Sequence, residues 1–362
     1  MTATLTEPGR GSTTRTYPSY SRPLWRRVLL TREFAVIALL VLVYEYSMGN
    51  VANFDGPLTL YFLFLDTAPI LLIALPMTLV IITGEIDLSV ASVVGLSSVL
   101  VGVLHQDAGL SIPVAGLIAL LVGAVCGAFN GFLVAYVGLP SLAVTIGTLA
   151  LYRGIAVGIL GTTAKTDFPQ RWTDLAKQRI WEGHPWPVIL IPVVVLLIAF
   201  TLLLHFSPFG RGVFEIGLND EAAHFTGVNV ELTKFWLFVL TGVVSAFAGI
   251  YWTLEYGSAR GDNATGLELQ VIAAVLLGGV SIFGGRGALH GVIAGVLLIG
   301  VISSAMRLEN QTVNVINIVI GVLLVLSVIS TSFLSWVSGQ PWRGRGARPS
   351  GRRPSVATSN DK

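Results

Sequence analysis

The chain has 362 residues, of which 53% are hydrophobic and only 12% are charged, and its formal net charge is +2. In a typical soluble domain roughly a quarter of the residues are charged. The low charged fraction, together with a mean hydropathy of +0.77, therefore excludes a soluble protein. A single cysteine, Cys126, excludes an internal disulfide framework. The apolar residues come in runs about long enough to cross a hydrocarbon core of ~30 Å, which predicts a polytopic helical membrane protein.

Residues 1–32 contain six arginines among Ser, Thr and Pro. They predict a disordered basic cytoplasmic tail and not a signal peptide, because no small-residue cleavage site follows a short apolar core. Ten apolar runs follow: Phe34–Met48, Leu58–Ile82, Leu88–Leu104, Ile112–Tyr136, Leu139–Leu160, Pro187–Leu204, Phe235–Leu254, Leu267–Ile282, Leu289–Met306 and Val313–Leu334. We therefore expect an all-α transmembrane bundle of about ten spans over 33–336, then a second disordered basic cytoplasmic tail over 337–362.

The positions of Lys and Arg predict the orientation of these spans. With the N-terminus in the cytoplasm, alternation through ten spans places fifteen Lys and Arg inside and six outside, with Arg153 within a span. Both termini are therefore expected in the cytoplasm. Most of the bias comes from the two tails, so it defines the ends of the chain better than its middle.

The segment Gly84-Glu85-Ile86-Asp87-Leu88-Ser89 separates two apolar runs that carry no charge, Pro69–Thr83 and Val90–Leu104. Carboxylates in such surroundings are costly unless they face a partner, water or a protein interface, and the glycine permits a tight turn. One interpretation is a polar turn at the membrane surface. The other is a discontinuous element that lines a solute path.

Two long loops separate the later spans. The loop 161–186 is expected outside and carries Trp172, Trp181 and Trp186; these residues favour an interfacial aromatic belt over a sugar-stacking surface. The loop 205–234 is expected inside, and we call it the coupling loop.

A short helix is predicted within the coupling loop. Asn219 is a good N-cap followed by acidic residues, Ala222 and Ala223 favour helix, and Gly227 is a plausible stop. The small residues would let another protein pack closely, although a capped surface helix without a partner is the simpler interpretation.

Several motifs resemble known permeases. The sequence Glu221-Ala222-Ala223, with Gly227 and Asn229-Val230, resembles the cytoplasmic coupling segment of bacterial ABC importer permeases. Between about Leu58 and Ser330 the chain is similar to the ribose-type sugar permease family. The motifs that carry this similarity are Ala74–Ile81 leading into Gly84–Ser89, Asn130-Gly131, Leu139-Pro140, Thr145–Thr148, Arg153-Gly154 and Leu277–Gly287.

Within that family, Gly257–Arg260 and the Leu75–Thr78 run look closest to the rhamnose and autoinducer-2 permeases. Two positions depart from the pattern. Glu85 stands where many sugar permeases have a second glycine, which argues against a simple ribose assignment. His224 replaces the arginine common after the two alanines, which weakens a basic contact to the partner.

The resemblance implies a non-catalytic permease subunit of an importer in the bacterial cytoplasmic membrane. Its implied partners are a second permease chain, identical or paralogous, two cytoplasmic ATPase domains that bind the ATP, and an extracytoplasmic sugar-binding protein. The implied solute is a monosaccharide, rhamnose-like or another pentose or hexose, with autoinducer-2 or a branched-chain amino acid as alternatives within the class. The implied ATPase-coupling residues are Asn219, Glu221, Ala222, Ala223 and Gly227.

The residues themselves agree that ATP is bound elsewhere. A phosphate-binding loop needs Gly-Lys-Ser/Thr after a glycine-rich turn, and none of the four lysines follows a glycine. The glycines around Arg286 therefore predict a tight turn between packed helices. The five histidines are dispersed and form no metal-ligand motif, so neither a cofactor nor a catalytic metal is expected.

Within the membrane, polar side chains are the candidates for a solute path. They are Glu85, Asp87, Ser89, Asn130, Thr145, Thr148 and Arg153. Asn130 and the threonines can equally hold helices together through hydrogen bonds. Arg153 can pair with Asp87 or Glu85, or extend to the outer surface, which the predicted topology favours.

Two other functional classes remain open. A secondary transporter or channel would use Glu85 and Asp87 as proton or ion sites, but it has no need of a docking helix in the coupling loop. A membrane-embedded enzyme would need a catalytic set, and the sequence shows neither a serine elbow nor a catalytic cysteine context.

Overall fold

A computed structural model describes residues 32–338, so the two predicted tails lie almost entirely outside the described residues. Within this range the chain forms thirteen helices and no strand beyond two isolated bridges. The helices are α1 (Arg32–Asn50), α2 (Thr59–Ile82), α3 (Val90–Gln106), α4 (Ile112–Ala135), α5 (Ser141–Leu160), α6 (Gln170–Lys177), α7 (Leu190–Phe206), α8 (Pro208–Leu218), α9 (Asp220–Phe225), α10 (Val230–Tyr256), α11 (Leu267–Leu277), α12 (Leu289–Leu308) and α13 (Val313–Ser338). The predicted all-α class is confirmed.

Each of the ten predicted spans coincides with a helix, but the helices differ in length. Among the described residues, six are long and apolar enough to cross a membrane, namely α1, α2, α4, α5, α10 and α12. The pair α7 and α8, bent by 67° at Ser207, adds a seventh candidate. Shorter apolar helices form at α3, α11 and α13. The number of ten spans therefore stays a prediction.

Local capping explains where the helices depart from the predicted limits. α10 begins at Val230, five residues early, because the Asn229 side chain accepts a hydrogen bond from the Leu232 N–H. α11 ends at Leu277 and not at Ile282, because the chain turns at Gly279, whose φ is +93°. α8 was missed, although Ser207-Pro208 is a strong start signal, with a capping serine and a proline at the first helical position.

α2 is the centre of the bundle. It is buried along nearly its whole length, as expected of a helix that is apolar on all sides. α7, α10, α11 and α12 pack around it. Helices α3 and α4 pack against α10, and α5 packs against α3. The buried residues form one large cluster around α2 and smaller clusters beside it.

The α4–α10 contact depends on small residues. A Cβ at Gly127 would collide with the Phe238 carbonyl, and one at Gly242 with the Gly123 carbonyl. Without Cβ atoms the two backbones approach closely, which gives van der Waals contact that lipid cannot supply.

Three connections meet at the end of the bundle that carries the coupling loop, which we call the coupling-loop end. The N–H of Gly285 donates to the carbonyl of Ile82 (2.8 Å), and a Cβ at Gly217 in α8 would collide with that same carbonyl. Gly284 and Gly285 both have positive φ. The tight turn predicted around Arg286 is confirmed, and it clamps α8 against the last residue of α2.

The opposite end is closed by the loops 161–189 and 257–266. Lys165 and Ala259 exchange both backbone hydrogen bonds (3.0 and 2.8 Å), and the Arg307 side chain pairs with Asp66. The short helix α6 lies in the first of these loops. The two ends therefore have separate sets of polar contacts.

We predict that Gly217→Ala lowers the stability of the protein by about 1–3 kcal/mol, the usual cost of overpacking. The matched control is Gly158→Ala in α5, where a new Cβ meets no atom within 4 Å and alanine gains up to about 1 kcal/mol of helix propensity. Thermal unfolding in detergent measures both. Equal midpoints for the two variants would contradict the close contact at Ile82.

Candidate functional site

The connection between α2 and α3 starts at the surface and ends inside the bundle. Gly84, whose φ is +84°, is exposed, whereas Asp87 is 1% exposed. The Ile86 N–H donates to Ser141 Oγ (3.1 Å), and its carbonyl accepts from Thr145 Oγ1 (3.2 Å). The segment is therefore a turn embedded in protein and attached to the start of α5.

Asp87 begins a chain of buried hydrogen bonds. Its Oδ1 accepts from the backbone N–H of Ser89 (2.9 Å) and from Ser89 Oγ (2.6 Å). Asn130 Nδ2 donates to Ser89 Oγ (2.8 Å), and the Tyr152 hydroxyl donates to Asn130 Oδ1 (3.2 Å). The chain joins the start of α3 to α4 and α5, so Asn130 here holds helices together.

Asp87 lies between the helices, in the 83–89 connection. Burial raises the pKa of its carboxyl to about 6, and the hydrogen bonds from Ser89 oppose that shift. The cost of a buried carboxylate is thus only partly offset by its two donors.

Glu85 belongs to a different cluster, an ion triad at the coupling-loop end. Lys234 Nζ lies 2.7 Å from Glu85 Oε1 and 2.6 Å from Asp220 Oδ2. Lys234 is buried, Glu85 is partly buried and Asp220 is half exposed. Because Asp220 opens α9 and Lys234 lies in the first turns of α10, the triad connects the coupling loop to the 84–89 turn.

The coupling loop contains the predicted short helix as α9. Asn219 Oδ1 accepts from the Ala222 N–H (2.7 Å), and Gly227 follows with φ +90°. Ala223 is buried against Ile216 and Val230. Glu221, Ala222, His224 and Phe225 are exposed, and Phe225 is 88% exposed.

The other predicted path residues lie on α5. Thr145 Oγ1 also donates to the Ser141 carbonyl (2.8 Å), and Thr148 Oγ1 donates to the Thr145 carbonyl (3.4 Å). Both threonines are buried, so they make short-range contacts within α5 and to Ile86.

Arg153 pairs with neither Asp87 nor Glu85. Its guanidinium donates to the carbonyls of Gly261 (2.8 Å), Asn263 (2.7 Å) and Ala91 (3.0 Å). It thus extends toward the end opposite the coupling loop and holds the loop 257–266, and the expected extension to the outer surface stays a prediction.

Sequence reasoning missed Lys234, Ser141 and Tyr152. Lys234 had a usable signal, because it is the only lysine next to the start of a long apolar helix, where a charge needs a partner. Ser141 and Tyr152 gave no such signal, since their roles depend on how α5 meets the turn. Residues 32–338 contain no group of three His, Cys, Asp or Glu side chains placed to hold a metal ion.

The chain is similar to known proteins over most of its length. Residues 59–328 match the family described as branched-chain amino acid transport system / permease component. The autoinducer 2 import system permease protein LsrD of Yersinia enterocolitica is 37% identical over 309 residues, which cover 83% of this chain and 91% of that protein. LsrD of Photorhabdus luminescens is 34% identical over 329 residues, which cover 86% of this chain and 96% of that protein. No solved structure gives a significant match.

We predict that Lys234→Met destabilises the protein by about 1–3 kcal/mol, because it leaves the partly buried Glu85 carboxylate unpaired. The double variant Lys234→Met/Glu85→Gln should recover most of this loss, since the orphaned charge is gone. Lys165→Met is the control, because the Lys165–Asp107 pair is exposed and should contribute less than about 1 kcal/mol. If the double variant lost as much stability as the sum of the two single variants, Lys234 and Glu85 would not interact.

We predict that Asp87→Asn is at least as stable as the wild type above pH 6, because asparagine keeps the acceptor oxygen and removes the buried charge. The raised folded-state pKa of Asp87 means that the wild type gains stability as pH falls through about 6 toward 4. The difference in unfolding midpoint between the two proteins should therefore shrink over that range. A variant that is less stable than wild type at pH 7.5 would show that the charge itself is stabilising.

Proposed function

The chain belongs to the family of branched-chain amino acid transport system permease components, and we propose that its solute is autoinducer 2 or a closely similar small sugar-like molecule. It is a non-catalytic, multi-pass subunit of an ABC importer in the cytoplasmic membrane. Similarity to autoinducer 2 permeases over 83% and 86% of the chain carries the choice of solute. Autoinducer 2 thereby replaces rhamnose as the preferred solute.

The family implies ATPase and substrate-binding partners and a second permease chain. We propose that the coupling-loop end faces the cytoplasm, with both termini on that side. The exposed residues of α9, which include Glu221, Ala222 and Phe225, then form the surface that meets an ATPase domain. An extracytoplasmic binding protein would deliver the solute to the opposite end.

The ion triad offers a route for the motion of α9. A displacement of Asp220 acts on Lys234 and through it on Glu85, because the three charges are in direct contact. The 84–89 turn passes the displacement to α5 through Ile86 and to α4 through Asp87, Ser89 and Asn130. Such a packed network gives a two-state element that nucleotide occupancy can bias. The residues that we propose along the solute path remain Glu85, Asp87, Ser89, Asn130, Thr145, Thr148 and Arg153.

A secondary transporter that uses Glu85 and Asp87 is the second candidate. Both carboxylates already have partners within the protein, Lys234 for Glu85 and Ser89 for Asp87. This favours the ATP-driven function, because an ion site needs a carboxylate that can exchange its partner for the ion. Uptake that persists without ATP and collapses with the ion gradient would reverse the choice.

We predict that Glu221→Ala lowers ATP-driven uptake and solute-stimulated ATP hydrolysis several-fold while membrane insertion and the unfolding midpoint stay unchanged. The reason is that Glu221 lies on the proposed docking surface, is exposed and has no side-chain hydrogen bond or ion pair within residues 32–338, so its loss should affect the ATPase contact and not the fold. Glu309→Ala, an exposed change at the opposite end, is the control. Both activities are measured on the complete transporter in proteoliposomes. Wild-type rates in Glu221→Ala would remove α9 from the docking surface.

A further inference from the structure

An open cavity with mixed polar and apolar walls, which we call the chamber, lies at the end opposite the coupling loop. Its larger part has a volume of about 490 Å³ and is bounded by the last turns of α10, the loop 257–266 and the start of α11. A smaller part of about 150 Å³ continues between α2 and α12. Four side chains border both parts: Trp252, Tyr256, Leu267 and Gln270. The larger part alone is within the size range of small-molecule sites.

The wall formed by the loop 257–266 is held in place from outside the chamber. Arg153 binds the carbonyls of Gly261 and Asn263. Asn263 Nδ2 donates to Ser98 Oγ (2.9 Å) and to the Ser258 carbonyl (3.0 Å). Ala264 has φ +60°, a left-handed conformation that a residue with a Cβ keeps only when its surroundings enforce it. The chamber is therefore preformed.

The charges in the chamber walls cancel in pairs. Asp262 accepts two hydrogen bonds of 2.8 Å from Arg260, which lower the pKa of its carboxyl and keep it ionised. Asp66 pairs with Arg307 on the far side. Because these charges are already paired, a zwitterionic amino acid would have to compete with the existing ion pairs, whereas a neutral solute binds without separating them.

The remaining groups suit hydroxyl-bearing rings. The side chain of Gln270 is half-buried and makes no hydrogen bond to any of residues 32–338, so its amide offers both donors and an acceptor. The rings of Trp252 and Tyr256 lie 5.1 Å apart and give apolar faces beside these polar groups. Amide and aromatic groups together match a molecule with hydroxyls at its edge and C–H groups on its face.

From this geometry we propose that the chamber is an outer subsite for a neutral, polyhydroxylated small solute, with Gln270 as its specificity-determining contact. The proposal rests on the proposed function, since the coupling-loop end must face the cytoplasm for the chamber to face the binding protein. The solute would occupy the chamber after release from that protein and before the path opens.

The test uses the complete transporter, this chain with its partner permease and ATPase, in nanodiscs without binding protein. Saturation-transfer NMR measures binding of autoinducer 2, with leucine as the zwitterionic comparison. Gln270→Leu should weaken autoinducer 2 binding about five- to tenfold, the effect of a lost hydrogen bond. Gln311→Leu, the same change at an exposed position outside the chamber, should bind as the wild type does.

Three results would overturn the proposal: no saturable autoinducer 2 binding by the wild type, equal binding by Gln270→Leu, or tighter binding of leucine than of autoinducer 2. Equal binding by Gln270→Leu together with lost stimulation of that variant by the binding protein would identify the chamber as a protein-docking surface. ATP-driven uptake with the binding protein present is measured in parallel. If the complete transporter shows no uptake of autoinducer 2, the proposed function fails as well. If it takes up autoinducer 2 but gives one of the contradicting binding results, only the subsite proposal fails.

Discussion

The structure depends on how two carboxylates are accommodated in the break between α2 and α3. Glu85 is neutralised by Lys234, and Asp87 is held by the two donors of Ser89. Lys234 belongs to α10, and Ser89, although only two residues from Asp87, is itself bonded to Asn130 of α4. An unpaired charge at this depth would cost several kcal/mol, so the positions of α4, α5 and α10 relative to α2 are linked to this one turn.

The two ends of the bundle carry different chemistry. At the coupling-loop end, charged groups form contacts across elements, and close glycine contacts clamp α8 to Ile82. Such contacts transmit displacement because the packed parts cannot deform gradually. At the opposite end Arg260 pairs with Asp262 within one loop, and Arg307 joins α12 to Asp66 of α2. The side-chain amide of Gln270 and the rings of Trp252 and Tyr256 border the chamber beside them. We propose that this division reflects the two tasks of an importer, coupling to ATP hydrolysis and receiving the solute.

Much of the fold follows from the sequence because lipid permits few alternatives. Ten apolar runs predicted ten helices, and Asn219 with Gly227 predicted α9, since capping and positive φ are local properties. The helix α8 was also encoded locally, in Ser207-Pro208, and was overlooked. The Lys234–Glu85 contact joins positions 149 residues apart, and the chamber around Gln270 needs four helices in their packed positions. Neither can be read from spacing, because each depends on tertiary packing.

We propose that α9 meets an ATPase domain on the cytoplasmic side, and crosslinking tests this contact most directly. Cys126 is the only cysteine in the sequence and is buried, so Ala222→Cys and Thr163→Cys each place one exposed thiol at one end of the molecule. A thiol-reactive photocrosslinker is attached to each in the assembled transporter. We expect Ala222→Cys to crosslink to the ATPase subunit and Thr163→Cys to give no such product. Crosslinking of the ATPase through Thr163→Cys, with none through Ala222→Cys, would contradict the account.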